Sequence, residues 1–280
     1  MMAFFFIAGW QATVHVGGAT LSITAEESLP REKILAWVEN SAKTVALYFG
    51  QFPVKSLTVD IHDGLGSGRT YGDPAHIDLS VPADVSAAAL HEDWVLVHEM
   101  VHLALPSQTS EHAWLEEGSA TFIEPLARAR AGQRSGDLVW REWLTRLQQG
   151  EPQPRDRGLD RTHTWARTYW GGALYFFVAE VRLRTATHGA MGLETAMRGV
   201  LAAGGSVNEE WSIDRVLAAA DAATGLHVLR TLYDEMKDKA APVDLPALFA
   251  ALGVSLRGNE VVYDDKAKWA AERKAILELY

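Results

Sequence analysis

The segment Val95–Leu105 (VLVHEMVHLAL) places two histidines and a glutamate inside an apolar stretch of the chain. A helix formed by so many apolar residues must be largely buried. Burying His98, Glu99 and His102 in it without a partner would cost free energy, because imidazole and carboxylate groups lose their hydration. The fold therefore has to supply a compensating group beside this helix, and a metal ion is one such group.

The spacing of the two histidines indicates how they meet a metal. His98 and His102 are four residues apart, so in a helix both imidazoles lie on one face and can bind the same ion. Glu99 projects beside them, where a carboxylate can take a proton from metal-bound water. With ten histidines in the chain, chance produces this HExxH pattern in roughly one chain in forty. A purely structural role in core hydrogen bonds therefore stays open on this motif alone.

A second motif supplies a third ligand. The run Trp114–Gly118 (WLEEG) begins the next predicted helix, with Glu117 fifteen residues after His102 (117 − 102). Catalytic zinc typically takes three protein ligands and a water, and two histidines with one glutamate form a known set. We expect Glu117 to be the third ligand of one zinc ion per chain, with Glu116 as the less favoured candidate. The alternative is that both glutamates only favour the dipole at the helix start.

A third motif contains paired glycines, Gly171 and Gly172, inside an apolar helical stretch. Each glycine costs about 1 kcal/mol relative to alanine in a helix interior, so another backbone is expected to approach closely there. Tyr169 stands just before the pair and could direct its hydroxyl into a cleft to stabilise an oxyanion. The alternative is a tyrosine that simply belongs to the core.

Taken together, the three motifs resemble those of the gluzincin metallopeptidases, specifically the zinc aminopeptidase-like branch. In that branch HExxH is followed by a W-L-x-E-G segment and then by a Y-x-x-G-A segment. The resemblance implies that His98, His102 and Glu117 hold Zn²⁺, that Glu99 is the general base, and that Tyr169 stabilises the transition state. It further implies a peptide or protein substrate.

The resemblance covers roughly Ser86 to Phe177 and has clear departures. The interval between His102 and Glu117 is shorter than in the aminopeptidases, and no G-x-M-E-N stretch is present. The large N-terminal β-domain of those enzymes cannot fit ahead of residue 86. We therefore carry over the metal site and peptide hydrolysis, but not aminopeptidase specificity.

The order of predicted elements indicates an α+β fold, because sheet elements come first and helices follow. We expect a zincin-like, thermolysin-like catalytic domain: an N-terminal lobe (residues 1–106) with a small mixed sheet and the HExxH helix, and a mostly helical lobe (107–280), forming one catalytic unit. The first-lobe elements are strand-like Thr13–Ile23, helix Arg31–Phe49, strand Ser56–His62, a Gly-rich turn Asp63–Gly72, strand His76–Val81 and one helix Ser86–Leu105. An extended peptide is expected to pair with the edge formed by the Gly-rich turn and the strand after it. Pro154–Arg161 reads as an exposed polar loop.

Composition limits the chemistry further. The chain has no cysteine, which excludes thiolate ligands and leaves histidine and carboxylates for a transition metal. A net charge of −10 disfavours nucleic-acid and anionic-membrane partners, and no apolar stretch reaches the ~20 residues of a membrane span. The apolar Ala3–Gly9 is consistent with the tail of a signal peptide or with a first strand. That stretch and the lack of cysteine favour export to the periplasm over a cytoplasmic location.

Three other functions stay open at this stage. The chain could be a zinc hydrolase acting on a non-peptide bond, a silent or latent zincin used for partner binding, or a binding protein with an accidental HExxH. The intact Glu99 argues against the silent protein, because a binding protein has no need of the base. Glu117 and Tyr169 argue against coincidence.

Overall fold

Five strands form one mixed sheet in the computed structural model, which describes residues 9–278. They are β1 Gly9–Val16, β2 Ala19–Glu26, β3 Ser56–Asp63, β4 Ser67–Tyr71 and β5 His76–Val81. Their spatial order is β1-β2-β3-β5-β4. Strands β2, β3 and β5 are parallel, whereas β1 and β4 run antiparallel to their neighbours. Strand β4 is therefore an edge strand. The signal-peptide or strand interpretation of Ala3–Gly9 falls mainly on residues 1–8, outside the described part.

The sheet is apolar on one face because its strands alternate between buried and exposed residues. Ile23, Val59 and Leu79 are almost completely buried and belong to the same core as Ile34 and Val45 of α1, Arg31–Phe49. Helix α1 has the bounds that the sequence predicts, and it packs between the sheet and the later helices. This core supports the helix that carries the two histidines.

The rest of the described chain is mostly helical. The helices are α2 Ala87–Glu92, α3 Val95–His102, α4 Ala113–Arg130, α5 Gly136–Arg146, α6 Gly172–Ala186, α7 Leu193–Ala202, α8 Ile213–Thr224, α9 Val228–Met236, α10 Leu245–Leu252 and α11 Ala270–Leu277, with a hairpin β6 Val254–Arg257 and β7 Glu260–Tyr263. The α+β class with a sheet first and helices afterwards is confirmed. The division at residue 106 stays a prediction. Between residues 9 and 278, no helix combines the length and apolarity that crossing a membrane requires.

The prediction of one helix from Ser86 to Leu105 is wrong, because the chain breaks between α2 and α3. Asp93 adopts an extended conformation there, and its carboxylate accepts a hydrogen bond from the backbone N–H of Leu96 at 3.1 Å. This side chain caps the start of α3. His91 therefore lies on a separate helix and does not share a face with His98. The break also places Trp94 at the entrance of α3.

Two loop predictions are also corrected by the structure. The Gly-rich segment Asp63–Gly72 is more than a turn, because Ser67–Tyr71 pairs with β5 as strand β4. Pro154–Arg161 is not simply an exposed loop, because the side chain of Asp156 is only 1% exposed. Glycine content and charge suggested surface turns in both segments. The conformation of each segment depends instead on its contacts with distant parts of the chain.

The backbones of α4 and α6 approach each other closely. A Cβ atom on Gly172 would lie 2.1 Å from the carbonyl oxygen of Trp114, and one on Gly118 would lie 2.3 Å from the Cα of Gly172. Only glycine fits at either position. The paired-glycine motif therefore has the close approach that the sequence predicts, and this contact sets where Glu117 stands relative to Tyr169.

We expect Gly172→Ala to lower the free energy of unfolding by about 3 kcal/mol, because the added methyl group must push α4 and α6 apart. Chemical denaturation monitored by circular dichroism measures this change. Gly225→Ala is the control. Gly225 has a positive φ of 68° but open space around its Cα, so its substitution costs only about 1 kcal/mol of backbone strain. Equal losses in the two variants would contradict the contact.

Candidate metal centre

Two histidines of α3 face the same side of the helix. The His98 and His102 ring centroids are 4.9 Å apart, with an angle of 83° between the ring planes. Neighbouring residues of α3, among them Val97 and Val101, are buried in the core, so the helix is fixed on its apolar sides. The four-residue spacing leaves both imidazoles directed towards α4.

Glu117 reaches the histidines from the first turns of α4. Its Oε2 lies 3.4 Å from Nε2 of His98 and 3.6 Å from Nε2 of His102. One ligand atom from each of the three side chains lies within 4.8 Å of the other two. Among residues 9–278 this is the one group of three such side chains with that spacing.

The three side chains fit a zinc ion. Zinc binds nitrogen and oxygen at about 2.0–2.2 Å, so two ligand atoms in a tetrahedral site lie about 3.3–3.6 Å apart. The two distances from Glu117 match that spacing. Two imidazoles and one carboxylate also form a donor set that leaves a fourth position for water. Residues His98, His102 and Glu117 could therefore hold such an ion.

Protonation of the group also suits metal binding, because ligands must be deprotonated. Burial lowers the pKa of His102 to about 3, and the neighbouring His98 acts in the same direction. Burial alone would raise the pKa of Glu117. The hydrogen bond from His98 and the nearby imidazoles outweigh it and leave that pKa below its ordinary value. Near neutral pH, His102 is neutral and Glu117 is ionised.

Glu99 lines the same cleft as the three ligand candidates, and the edge strand β4 holds its side chain. The hydroxyl oxygen of Thr70 lies 2.7 Å from Glu99 Oε2 and 2.8 Å from the Glu99 carbonyl oxygen, and its one proton serves both. A Cβ atom on Gly68 would come within 2.7 Å of Glu99 Cγ, so glycine leaves room for this side chain. Burial raises the pKa of Glu99, although the bond from Thr70 opposes the shift. A raised pKa suits a carboxylate that must accept a proton.

Tyr169 closes the group from a short π-helical turn, Arg167–Gly171, that precedes α6. Its hydroxyl lies beside Glu117 and helps to keep the pKa of that carboxyl low. Its ring lies parallel to His98, with centroids 6.4 Å apart. Burial and the carboxylate of Glu117 raise the pKa of Tyr169 to about 12. The hydroxyl therefore keeps its proton and acts as a hydrogen-bond donor.

A buried ion pair anchors this π-helical turn. Arg167 Nε lies 2.8 Å from Asp156 Oδ2, and both side chains are almost completely buried. The same guanidinium donates to the carbonyl oxygen of Gly150. A Cβ atom on Gly150 would lie 2.1 Å from the carbonyl oxygen of Trp170, so the two turns touch through their backbones. Turns of this kind occur often at functional sites, and here the turn carries Tyr169.

Two nearby ionisable side chains, the less favoured ligand candidate Glu116 and also His112, stand outside the group of three. Glu116 accepts a hydrogen bond at Oε1 from the backbone N–H of Gln108 at 3.0 Å, and burial raises its pKa to about 7. His112 Nε2 lies 3.6 Å from Asp160 Oδ2. The sequence interpretation missed Thr70, whose hydroxyl holds Glu99. No sequence signal identifies Thr70, because β4 meets α3 only in the folded chain.

Comparison with known proteins supports the fold through structure alone. No family model matches the sequence, and no curated protein matches it. The M1 zinc metallopeptidase from Deinococcus radiodurans is similar at a TM-score of 0.55 and 17% identity, over 83% of this chain and 51% of that one. An aminopeptidase N family protein from Idiomarina loihiensis is similar at a TM-score of 0.62 and 14% identity, over 89% of this chain and 50% of that one.

These likenesses define the class of fold. The chain has a gluzincin aminopeptidase-like fold, and it spans about half the length of the structures that it matches. The expectation of a zincin-like α+β domain is confirmed. The roles of individual site residues stay predictions.

We expect Asp156→Asn to lower the free energy of unfolding by about 3–5 kcal/mol, because it leaves the buried guanidinium of Arg167 without its counter-ion. Urea denaturation measures the loss. Asp214→Asn is the matched control, since it removes the same charge from a pair with Arg230 that is largely exposed, and such pairs contribute under about 1 kcal/mol. A small effect of Asp156→Asn would show that the ion pair does not anchor the turn.

Proposed function

We propose that this chain is a zinc-dependent peptide-bond hydrolase, a metallopeptidase. His98, His102 and Glu117 would hold one zinc ion, Glu99 would be the general base, and Tyr169 would stabilise the transition state. The observation that supports the proposal most is the convergence of two imidazoles and a carboxylate from α3 and α4, with a proton acceptor and a hydroxyl donor on either side.

When bound, zinc supplies Lewis-acid chemistry and lowers the pKa of water towards neutrality. Glu99 then accepts the proton of the attacking water at Oε1, because Thr70 already occupies Oε2. The same carboxyl group delivers this proton to the departing amine nitrogen. Thr70 and Gly68 hold the side chain in place throughout, so Glu99 needs no reorganisation between the two steps.

Tyr169 acts on the carbonyl oxygen of the substrate. Its hydroxyl lies beside Glu117 in the free protein and would donate to the oxyanion when substrate is bound. A donor held in place before the reaction stabilises developing charge without a cost of reorganisation. The raised pKa of Tyr169 keeps the proton on the phenol, as this role requires.

A peptide substrate is favoured by the edge strand. Strand β4 pairs with β5 on one side only, so its other backbone groups are available to an extended chain. A cleft of about 450 Å³ is lined by β4 together with Glu99, Glu117 and Tyr169. The Deinococcus radiodurans metallopeptidase, similar in fold, has been described with a Tyr-Ser-Ala substrate. An extended inhibitor bound away from β4 in a co-crystal would refute this placement.

We expect Glu99→Gln to keep about one zinc per chain and to lower kcat by about 10²–10⁴-fold, because only the proton acceptor is lost. Glu117→Ala should instead lose the metal, because only two of the three protein ligands, the histidines, remain. Elemental analysis and peptide-library hydrolysis measure the two properties. Glu116→Gln is the control, a neighbouring glutamate whose change should leave zinc content intact.

The outcomes separate the possible failures. Turnover that survives in Glu99→Gln would contradict the mechanism. If zinc were retained in Glu117→Ala but lost in Glu116→Gln, the third ligand would be Glu116 and not Glu117. A wild-type protein without zinc, even after zinc is supplied, would make the HExxH motif a coincidence.

We expect Tyr169→Phe to lower kcat by about 10²–10³-fold, with zinc content unchanged and KM little affected, because the lost hydrogen bond forms mainly in the transition state. Steady-state kinetics on a cleaved peptide measure the two constants. Tyr175→Phe removes a buried hydroxyl that donates to the Leu229 carbonyl oxygen, so it should affect stability and not kcat. Similar kinetics for the two variants would assign Tyr169 to the core.

A further inference from the structure

A second cavity, the α5 pocket, adjoins the metal centre on the side away from β4. It has a volume of about 630 Å³ and lies between α4, α5 and the π-helical turn. Trp94, His98 and Tyr169 line both this pocket and the cleft along β4. The two spaces are therefore neighbours across the same three side chains. A chain bound along β4 with its scissile bond at the metal centre can extend into the α5 pocket.

Two exposed tryptophans stand at the α5 pocket. Trp94 is 53% exposed and Trp165 is 61% exposed, two of the largest exposures of apolar side chains in the described chain. The edge of Trp94 meets the His98 ring at 5.4 Å, and Trp165 stacks on Tyr169 at 5.5 Å. Exposed aromatic groups beside a concave site are typical of binding surfaces. Both tryptophans contact residues of the proposed active site, so we interpret their exposure as part of a binding surface.

Four of the six charged residues that line the α5 pocket form two ion pairs, and the other two, Glu92 and Arg146, are exposed to solvent. Arg128 Nη1 lies 3.0 Å from Glu124 Oε1, and both side chains are almost completely buried. Arg134 pairs in the same way with Glu142, which is partly buried. Because these charges compensate one another, a charged occupant would lose its hydration without gaining a counter-ion. An uncharged occupant avoids that cost.

We propose that the α5 pocket binds the side chain of an uncharged aromatic residue adjacent to the scissile bond. Trp94 and Trp165 provide the aromatic contacts, and the Glu124–Arg128 and Glu142–Arg134 pairs exclude charged side chains. The inference rests on the proposed peptide hydrolysis and names the substrate class for the same site. The pocket selects the substrate side chain on one side of the scissile bond only, because β4 lines the cleft on the other side.

The first test maps cleavage of a peptide library by mass spectrometry. Wild-type protein should prefer phenylalanine, tyrosine or tryptophan at one position next to the cleaved bond. Trp165→Ala should lower the ratio of kcat/KM for phenylalanine over alanine at that position by about 3- to 10-fold, as loss of one aromatic contact implies. Cleavage without an aromatic preference, or a preference that Trp165→Ala does not alter, would overturn the inference.

The second test reverses the charge selection. Glu124→Gln leaves the Arg128 guanidinium without its counter-ion, so a peptide with glutamate at that position should gain at least about tenfold in kcat/KM relative to wild type. Glu142→Gln removes the counter-ion of Arg134 at a less buried position. This variant replaces Glu124→Gln in the test if Glu124→Gln does not fold. Glu235→Gln is the matched control, because Glu235 pairs with Arg182 at a half-exposed site that does not line the pocket. No gain in either pocket variant would overturn the inference.

Binding of blocked amino acids separates this inference from the proposed function. N-acetyl-phenylalanine amide should bind wild-type protein more tightly than N-acetyl-glutamate amide, measured by calorimetry, and Glu142→Gln should narrow the difference. These probes require no hydrolysis. Selective binding by a protein without zinc or turnover would support the pocket inference and refute the proposed peptidase function. Peptide hydrolysis with equal binding of the two probes would support the peptidase function and refute the pocket inference.

Discussion

The contact between Gly118 and Gly172 is the constraint on which the site depends. Helices α4 and α6 meet there at backbone distance, since a Cβ atom on either glycine would collide with the other helix. Glu117 is the residue next to one glycine, and Tyr169 lies three residues before the other. The same contact therefore fixes the carboxylate opposite the two histidines and brings the phenol over it. Without it, the three motifs would be separate features of three helices.

Much of this arrangement could be predicted from the sequence, because local patterns carried it. Helix α1 and strand β5 have the predicted bounds, since their periodic apolar residues end at clear turn signals. The HExxH spacing placed His98 and His102 on one face, and the WLEEG run placed Glu117 at the start of the next helix. The costly glycine pair indicated a close approach, and Gly118 is the partner that the structure supplies.

Other parts were not predicted, and most of them depend on residues that are distant in the sequence. The break before α3 had a local signal in Asp93, three residues ahead of Leu96, but no glycine or proline marked it. Thr70 holds Glu99 only because the edge strand packs against α3. Asp156 belongs to the segment Pro154–Arg161, for which the sequence predicts an exposed loop, but the fold buries its side chain against Arg167. Contacts between distant residues decided the last two cases, and a single sequence does not show them.

The most direct test of the central claim is a crystal structure of zinc-loaded protein with anomalous data collected at the zinc edge. We expect one strong peak within about 2.2 Å of the imidazole nitrogens of His98 and His102 and of a Glu117 oxygen. The outer face of the sheet offers a competing position, because His62 and His76 lie near carboxylates there. A peak at that face, or none beside Glu117, would contradict the metal centre.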